Sequence, residues 1–420
     1  MEVSRTNWAG NVAFSAEGFH RPSSLSELQR LVARSSRVRA LGSGHSFNRL
    51  ADTPGDLVTL AGLPPAIEID TERATVTVGA GLRYGELARA LHAAGLALRN
   101  LASLAHISVA GSCATGTHGS GDANGCLATA VTGLEMVTAD GDLVTVSRDG
   151  DPGRFPGMVV ALGALGVITR LTLATEPAFE VSQYVYENLP LAHVTEHFGD
   201  ITGSAYSVSL FTDWRGAGIR QAWLKHRADE PCARRPEWMG GQLADGPRHM
   251  VPGQPPDSCT QQLGVSGPWH ERLPHFRLEF TPSVGDELQS EYLLPRGRAL
   301  EALAVLQPLA DGLQAVVHVS EIRTVAADDL WLSPAYQQDS VALHFTWVSD
   351  WVAVAPVLAE VERVLAPMTA RPHWGKLFST DPDALAGLYP RLDDFRRLMD
   401  EYDPAGKFRN DLLERVLRLR

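Results

Sequence analysis

Four cysteines in 420 residues are too few for a disulfide scaffold. Cys113, Cys126, Cys232 and Cys259 make no CxxC pair, and no nearby histidine completes a zinc spacing. They read as free thiols in a reducing compartment, and no metal centre is expected. No G-x-x-x-x-G-K-[ST] occurs, which removes a P-loop, and no H-E-x-x-H occurs, which removes that class of zinc protease. The longest apolar run, GMVVALGALGVIT at 157–169, falls short of the roughly 20 residues that a membrane helix needs, and glycines interrupt it. The opening stretch, MEVSRTNWAGNVAF, has no apolar core of the signal-peptide kind. A net charge of −12 leaves no basic excess for nucleic acid. The expectation is a cytoplasmic monomer with neither membrane nor nucleic acid as partner.

Glycine turns are what the chain does have. Leu25, Leu28, Leu31 and Val32 make the apolar face of a helix, and VRAL then reads as a short strand. That strand runs into LGSGHSFN (41–48), where Gly42 and Gly44 alternate with Ser43 and Ser46 around one imidazole, His45. Val76 and Val78 alternate as a strand before a turn at Gly79 and Gly81, and Leu87, Leu91 and Ala94 line a helix that Gly95 caps. The block SLAHISVAGSCATGTHGSGDANG fills 103–125. LEMVTADGDLVTVSR (134–148) reads as a hairpin turning at Asp140 and Gly141. Glycine and serine allow close backbone approach to a ligand, and bare N–H groups can hold an anion. Three such turns could converge on one extended ligand.

The composition changes near Pro177. Aromatic and β-branched stretches follow, and the Pro- and Gly-rich segment 227–257 reads as a long surface excursion. AVVHVSEIRTV (315–325) and VALHFTWV (341–348) read as strands, VAPVLAEVERVLAPM as a helix, and the end as a Leu- and Arg-rich helical tail. On the first strand Glu321 and Arg323 share a face; on the second His344 and Thr346 do. A length of 420 residues calls for two or three structural units.

GSGHSF is not G-x-G-x-x-G, and it follows a helix and strand, so a Rossmann site is unsupported. A flavin dinucleotide has the right size and is anionic in its middle. LGSGHSFN, ASLAHISVAGSCATGTHGSG, ALGALGVITRLTL, SEIRTVAADDLWLSP, HFTW and RPHWGK, in that order, resemble the alditol oxidases, flavoenzymes of the vanillyl-alcohol-oxidase-type fold. The resemblance runs from TNWAGN to DPAGKF. It implies an α+β, two-domain flavoenzyme. Residues 1–178 would form the FAD-binding domain, 179–372 a substrate-binding cap with an antiparallel sheet, and 373–420 a segment returning to the first domain.

The same resemblance implies FAD bound covalently through His45 to the flavin 8α carbon, within the turn Leu41, Gly42, Ser43, Gly44, His45, Ser46 and Phe47. A neutral imidazole nitrogen is a competent nucleophile for such a bond. Ser103, Ser108, Gly111, Thr115, Gly116, Thr117, His118, Val167 and His373 would also bind the cofactor, and Ala102 would be the small residue beside it where oxygen gains access. The polyol would meet Ser103, Glu321, Arg323, Thr346 and Lys376, with Lys376, Arg323, Glu321 and His344 catalytic. The implied reaction moves hydride from the terminal carbinol of a polyol such as xylitol or sorbitol to flavin N5, with O2 reduced to H2O2.

Each feature has a plainer explanation. His45 could be a turn histidine bonding a carbonyl. The second glycine block could be a loop, Gly163 and Gly166 close packing, and the Glu321, Arg323, His344 and Thr346 set a surface ion pair. His92, His193, His197, His226 and His249 read as surface or satisfied interior residues; His106 and His275 are undecided. Arg99 and Ala105 stand where the family pattern has proline, and His318 and Ser320 also depart from it, which bears on the substrate. A sugar-lactone oxidase, a flavin dehydrogenase using another acceptor, and a non-catalytic flavin- or sugar-binding protein are the alternatives.

Overall fold

The computed structural model describes residues 5–216, 218–230, 235–280 and 286–419. The helix Leu25–Arg34 begins at Ser24, whose hydroxyl accepts from the Glu27 N–H, and it buries Leu28, Leu31 and Val32 as their spacing predicts. The strand Val38–Leu41 pairs in parallel with Asp56–Thr59, which pairs in parallel with Gly18–His20. The GSGHS turn therefore sits at the carboxyl end of a parallel strand, where a ligand can reach backbone N–H groups.

Beside it lies a five-stranded antiparallel sheet in the order Ile67–Asp70, Thr75–Gly79, Val167–Ala174, Val131–Val137, Leu143–Ser147. Its last pair is the expected hairpin, with Gly141 at φ +88° in the connection. The tail joins the same core: helices Leu392–Tyr402 and Asp411–Val416 bury Phe395, Leu398, Met399, Leu413 and Val416 there. DPAGKF is tied to the start of the fold, because the Val38 N–H donates to Lys407 O and Arg39 Nη1 to Phe408 O.

A ten-stranded sheet makes the second unit. Its centre runs Gly218–Arg227, Ser207–Thr212, Val317–Val325, Ser340–Val348, Glu287–Pro295, with Arg371–Pro372 at the edge, all antiparallel. Side chains alternate across it. Tyr292, Ile322, Leu343 and Phe345 point to one face and pack with helices Ala299–Leu306, Ala310–Val316 and Trp351–Leu365. The other face carries the residues described below.

Two features depart from the expected division. The segment 330–336 lies within the sequence range of the second unit, yet Leu330, Trp331, Leu332 and Tyr336 pack in the first core. The Trp331 N–H donates to Pro156 O, and Trp374 Nε1 to Leu332 O. The excursion 227–257 is not only surface. Gly241–Leu243 adds to the sheet edge, and Met250 is buried against Phe211 and Trp223. Gln262 holds it in place by accepting from the Arg248 N–H and donating to Arg248 O. Pro and Gly mark an irregular chain, and here that chain is packed inward. Cys113, Cys126 and Cys259 are buried and unpaired, while Cys232 lies outside the described residues. Among the described residues no helix is long and apolar enough to cross a membrane.

Candidate active site

A cavity of about 550 Å³ lies between the glycine turns and the free face of the large sheet. The first turn is held open by asparagines. Asn7 Nδ2 donates to Ser46 O (2.9 Å), Asn11 Nδ2 to Phe47 O (2.8 Å), and the Trp8 N–H to Gly44 O (2.8 Å). These bonds explain the TNWAGN segment: it satisfies the outer carbonyls of the turn. Gly44 takes φ +71°, which a side chain would strain. Trp8 stacks on His45, with ring centroids 5.1 Å apart. Burial, then the charges of His106 and Arg83, lower the His45 pKa to about 4, so its ring is neutral at pH 7.

The second turn is zipped to the first. The Ser108 N–H donates to Ser43 Oγ (3.0 Å) and the Ser43 N–H to Ser108 Oγ (3.3 Å). A Cβ on Gly42 would lie 2.3 Å from Ser108 Oγ, and one on Gly111 2.7 Å from it. Glycine at both places leaves the room that the Ser108 hydroxyl takes between the two turns. Thr115 and Thr117 join their hydroxyls at 3.1 Å. At the third turn Leu162, Gly163, Gly166 and Ile168 line the cavity.

The sheet face is polar along one register row. Glu321, His344 and Glu291 stand directly opposite one another on three neighbouring strands, with Phe211 next in the row. Glu291 is the hub, at 1% exposure. It accepts from Arg323 Nη2 (2.5 Å) and Lys376 Nζ (2.7 Å), and its Oε1 lies 3.3 Å from His118 Nε2. Lys376 Nζ also donates to His344 Nδ1 (2.7 Å), leaving Nε2 of that ring to bond Thr346 Oγ1 (3.1 Å). Glu321 accepts from His275 Nε2 (2.8 Å), and Arg323 Nη1 reaches Ser103 Oγ at 3.5 Å.

Burial alone would raise both carboxyls. Lys376 and Arg323 outweigh it for Glu291, and Arg323 and His275 for Glu321, so both are held well below the usual carboxylate range. Burial, then Lys376, lowers His344 to about 4. Burial likewise lowers Lys376, against the pull of Glu291. His373 is pushed well down by burial, and its Nδ1 accepts from the Gly375 N–H (3.1 Å).

The structure brings almost every expected site residue to this one space. Leu41 to Phe47 line it, as do Ala102, Ser103, Ser108, Gly111, Thr115, Thr117 and His118. So do Glu321, Arg323, His344, Thr346, His373 and Lys376. Gly116 and Val167 do not. Gly116, at φ +67°, backs onto Pro334, and Val167 is buried and paired with Val137. The plain reading of His249 was incomplete, since it reaches the cavity from the excursion; undecided His275 also lines it. His106 instead bonds Leu278 O through Nε2.

Glu291 was missed by sequence reasoning. Its signal was present in ELQSEYLLP, where Glu287, Gln289 and Glu291 alternate with Leu288, Ser290 and Tyr292. An acidic residue spaced by two in a strand whose other face is apolar points to a polar interior. Among the described residues no three His, Cys, Asp or Glu side chains cluster as metal ligands.

Comparison with known proteins agrees with this geometry. The profile of the FAD binding domain matches residues 16–147, and that of D-arabinono-1,4-lactone oxidase matches residues 286–416. The solved structure of a solvent-stable cholesterol oxidase has a TM-score of 0.79 over 99% of this chain and 97% of its own, at 17% identity, which shows a shared α+β fold. An L-gulono-1,4-lactone dehydrogenase of Mycobacterium tuberculosis is 29% identical over 98% of each chain. An alditol oxidase of a Streptomyces species is 53% identical over 99% of this chain and 100% of its own. The chain belongs to the alditol oxidase family.

Proposed function

We propose that the chain is an FAD-dependent alditol oxidase, oxidising the C1 hydroxyl of acyclic polyols such as xylitol or sorbitol to the aldose. The observation that carries this is the balanced polar face. Two carboxylates, Glu291 and Glu321, stand with two cations, Arg323 and Lys376, in one buried network. A polyol offers many hydroxyls and no charge, and such a site gives it donors and acceptors without net field.

The residues fit FAD. The glycine cradle admits backbone approach where a Cβ would collide. Arg323 Nε and His118 Nε2 add buried polar groups to the same wall, each beside a carboxylate: Glu321 Oε2 at 3.6 Å and Glu291 Oε1 at 3.3 Å. The turn 42–47 with Ser108, Gly111 and Thr115 would hold the dinucleotide, and His45, neutral and stacked on Trp8, would carry the covalent 8α bond. When bound, FAD supplies the hydride acceptor and passes the electrons to O2, giving H2O2.

The chain's own side chains do the rest. Glu321, Arg323, Thr346 and Ser103 orient the polyol, a large part of the rate advantage in such reactions. Glu291 and Glu321, with depressed pKa values, are poor bases; Lys376, whose ammonium burial makes easier to deprotonate, takes the hydroxyl proton in its neutral-amine form, after losing the proton it shares with Glu291 and His344. Residues 1–178 and 373–420, joined by 330–336, form the cofactor unit and the rest of 179–372 the cap, in a cytoplasmic monomer. A lactone is the second reading, favoured by the lactone oxidase profile over residues 286–416, which include Glu291, His344 and Lys376.

Acid precipitation tests the covalent bond. Flavin colour stays with the pellet, and His45→Ala releases it to the supernatant; colour released from the unsubstituted protein refutes the bond. Lys376→Met slows anaerobic flavin reduction by polyol, and an unchanged rate removes Lys376 as proton acceptor.

A further inference from the structure

Behind the cavity wall lies a buried lysine that the mechanism above does not use. Lys225, on the strand Gly218–Arg227, is 1% exposed. Its Nζ donates to Leu273 O (2.5 Å), Pro274 O (3.0 Å) and His275 Nδ1 (3.2 Å). An ammonium has three donors and no acceptor. Burial lowers the Lys225 pKa to about 7; below that pH it is an ammonium with all three donors used, so His275 Nδ1 accepts and the ring proton lies on Nε2, 2.8 Å from Glu321 Oε1. Edge contacts with Phe211 and Trp223 fix the plane of the ring, and the His275 N–H bonds Ser103 O. His275 and Glu321 line the cavity; Lys225 stands one residue behind them.

We propose that Lys225 is a positioning residue: it fixes the His275 tautomer that donates to Glu321 Oε1, and so keeps Glu321 ionised with Oε2 as an acceptor for a substrate hydroxyl. Without Lys225 the ring proton can move to Nδ1, toward the carbonyls of Leu273 and Pro274. A bare Nε2 would then face a carboxylate, and Glu321 must turn away or take a proton. The proposal deepens the polyol reading and rests on it.

Two measurements on the holoenzyme separate the proposal from that reading. The first needs no turnover: in 15N-histidine-labelled protein below pH 7, where Lys225 is charged, the His275 signals, assigned by their loss in His275→Gln, show bare Nδ1 and protonated Nε2. In Lys225→Met the pattern exchanges. An unchanged tautomer overturns the proposal.

The second is anaerobic flavin reduction at varied xylitol. Lys225→Met weakens xylitol binding about tenfold, the size expected when a buried charged acceptor loses its donor. Combined with Glu321→Gln, it adds less than about twofold, because both remove the same acceptor. Additive effects overturn the proposal, since a general loss of packing would not depend on Glu321. If Lys225→Met does not fold, His275 carries the test. His275→Gln can accept from Lys225 and donate to Glu321, so it binds xylitol like the unsubstituted protein, whereas His275→Leu does not. Equal loss in both overturns the proposal. Failure of every polyol to reduce the unsubstituted protein refutes the function, and the tautomer still decides the relay.

Discussion

Replacing Glu291 with glutamine leaves the shape of the site and removes its central charge. Arg323 Nη2 at 2.5 Å and Lys376 Nζ at 2.7 Å then face a neutral amide, with no other carboxylate as close. Taking one partner from a buried ion pair costs about 3–5 kcal/mol, because the remaining charge keeps its desolvation penalty. The nearest alternative acid for Arg323 is Glu321 at 3.6 Å, and that carboxylate is already engaged by His275. Denaturant unfolding of the holoenzyme should show a loss of that order. The catalytic consequence has a sign. Glu291 raises the Lys376 pKa against burial. Its removal lowers that pKa further, so the neutral amine persists to lower pH. The pH profile of anaerobic flavin reduction in Glu291→Gln therefore moves to lower pH, even though misoriented polyol reduces its height. A variant as stable as the parent, with an unmoved profile, would refute the role of Glu291 as the counter-charge of the site.

Three further outcomes are expected. Gly42→Ala puts a Cβ 2.3 Å from Ser108 Oγ, a contact the hydroxyl relieves only by leaving the Ser43 N–H, so it lowers FAD content per chain; unchanged content would contradict the zipped-turn account. Asn48 Nδ2 ties the first turn to Trp374 O and Lys376 O, each at 2.8 Å, so Asn48→Ala costs about 1–3 kcal/mol in unfolding measurements, and no loss would show these bonds to be dispensable. His275 and His344 fall from the ordinary 6.5 to about 4 by burial and neighbouring lysines, so the unfolded chain binds protons first. Their contribution to stability is present above about pH 6.5 and is lost as pH falls toward about 4, a slope that unfolding midpoints across that window would reveal or deny.

Much of this site was legible because its parts are local. Glycine spacing marked the turns at 41–48 and 103–125, period-two alternation put Glu321 with Arg323 and His344 with Thr346, and the Leu28, Leu31, Val32 stripe marked a helix. What stayed hidden depends on contacts far apart in sequence. Glu291 and Lys376 are 85 residues apart, and Lys225 and His275 are 50 apart; nothing in either segment alone distinguishes a buried partner from a solvated charge. The excursion 227–257 misled for a related reason. Its prolines and glycines report irregular backbone, but whether that backbone faces water is decided by Gln262 and by Gln221, whose Nε2 donates to His249 O. Trp331 shows the same limit: its place in the first core follows from a bond to Pro156 O.

The central claim is that one cavity joins a flavin at His45 to a polyol at Glu321, Arg323 and Lys376. Mixing the purified protein with xylitol under anaerobic conditions tests it most directly, with an aldonolactone as the parallel sample. The account predicts that xylitol bleaches the flavin absorbance and that admitting oxygen restores it with hydrogen peroxide formed. Bleaching by the lactone alone, or by neither, would contradict it.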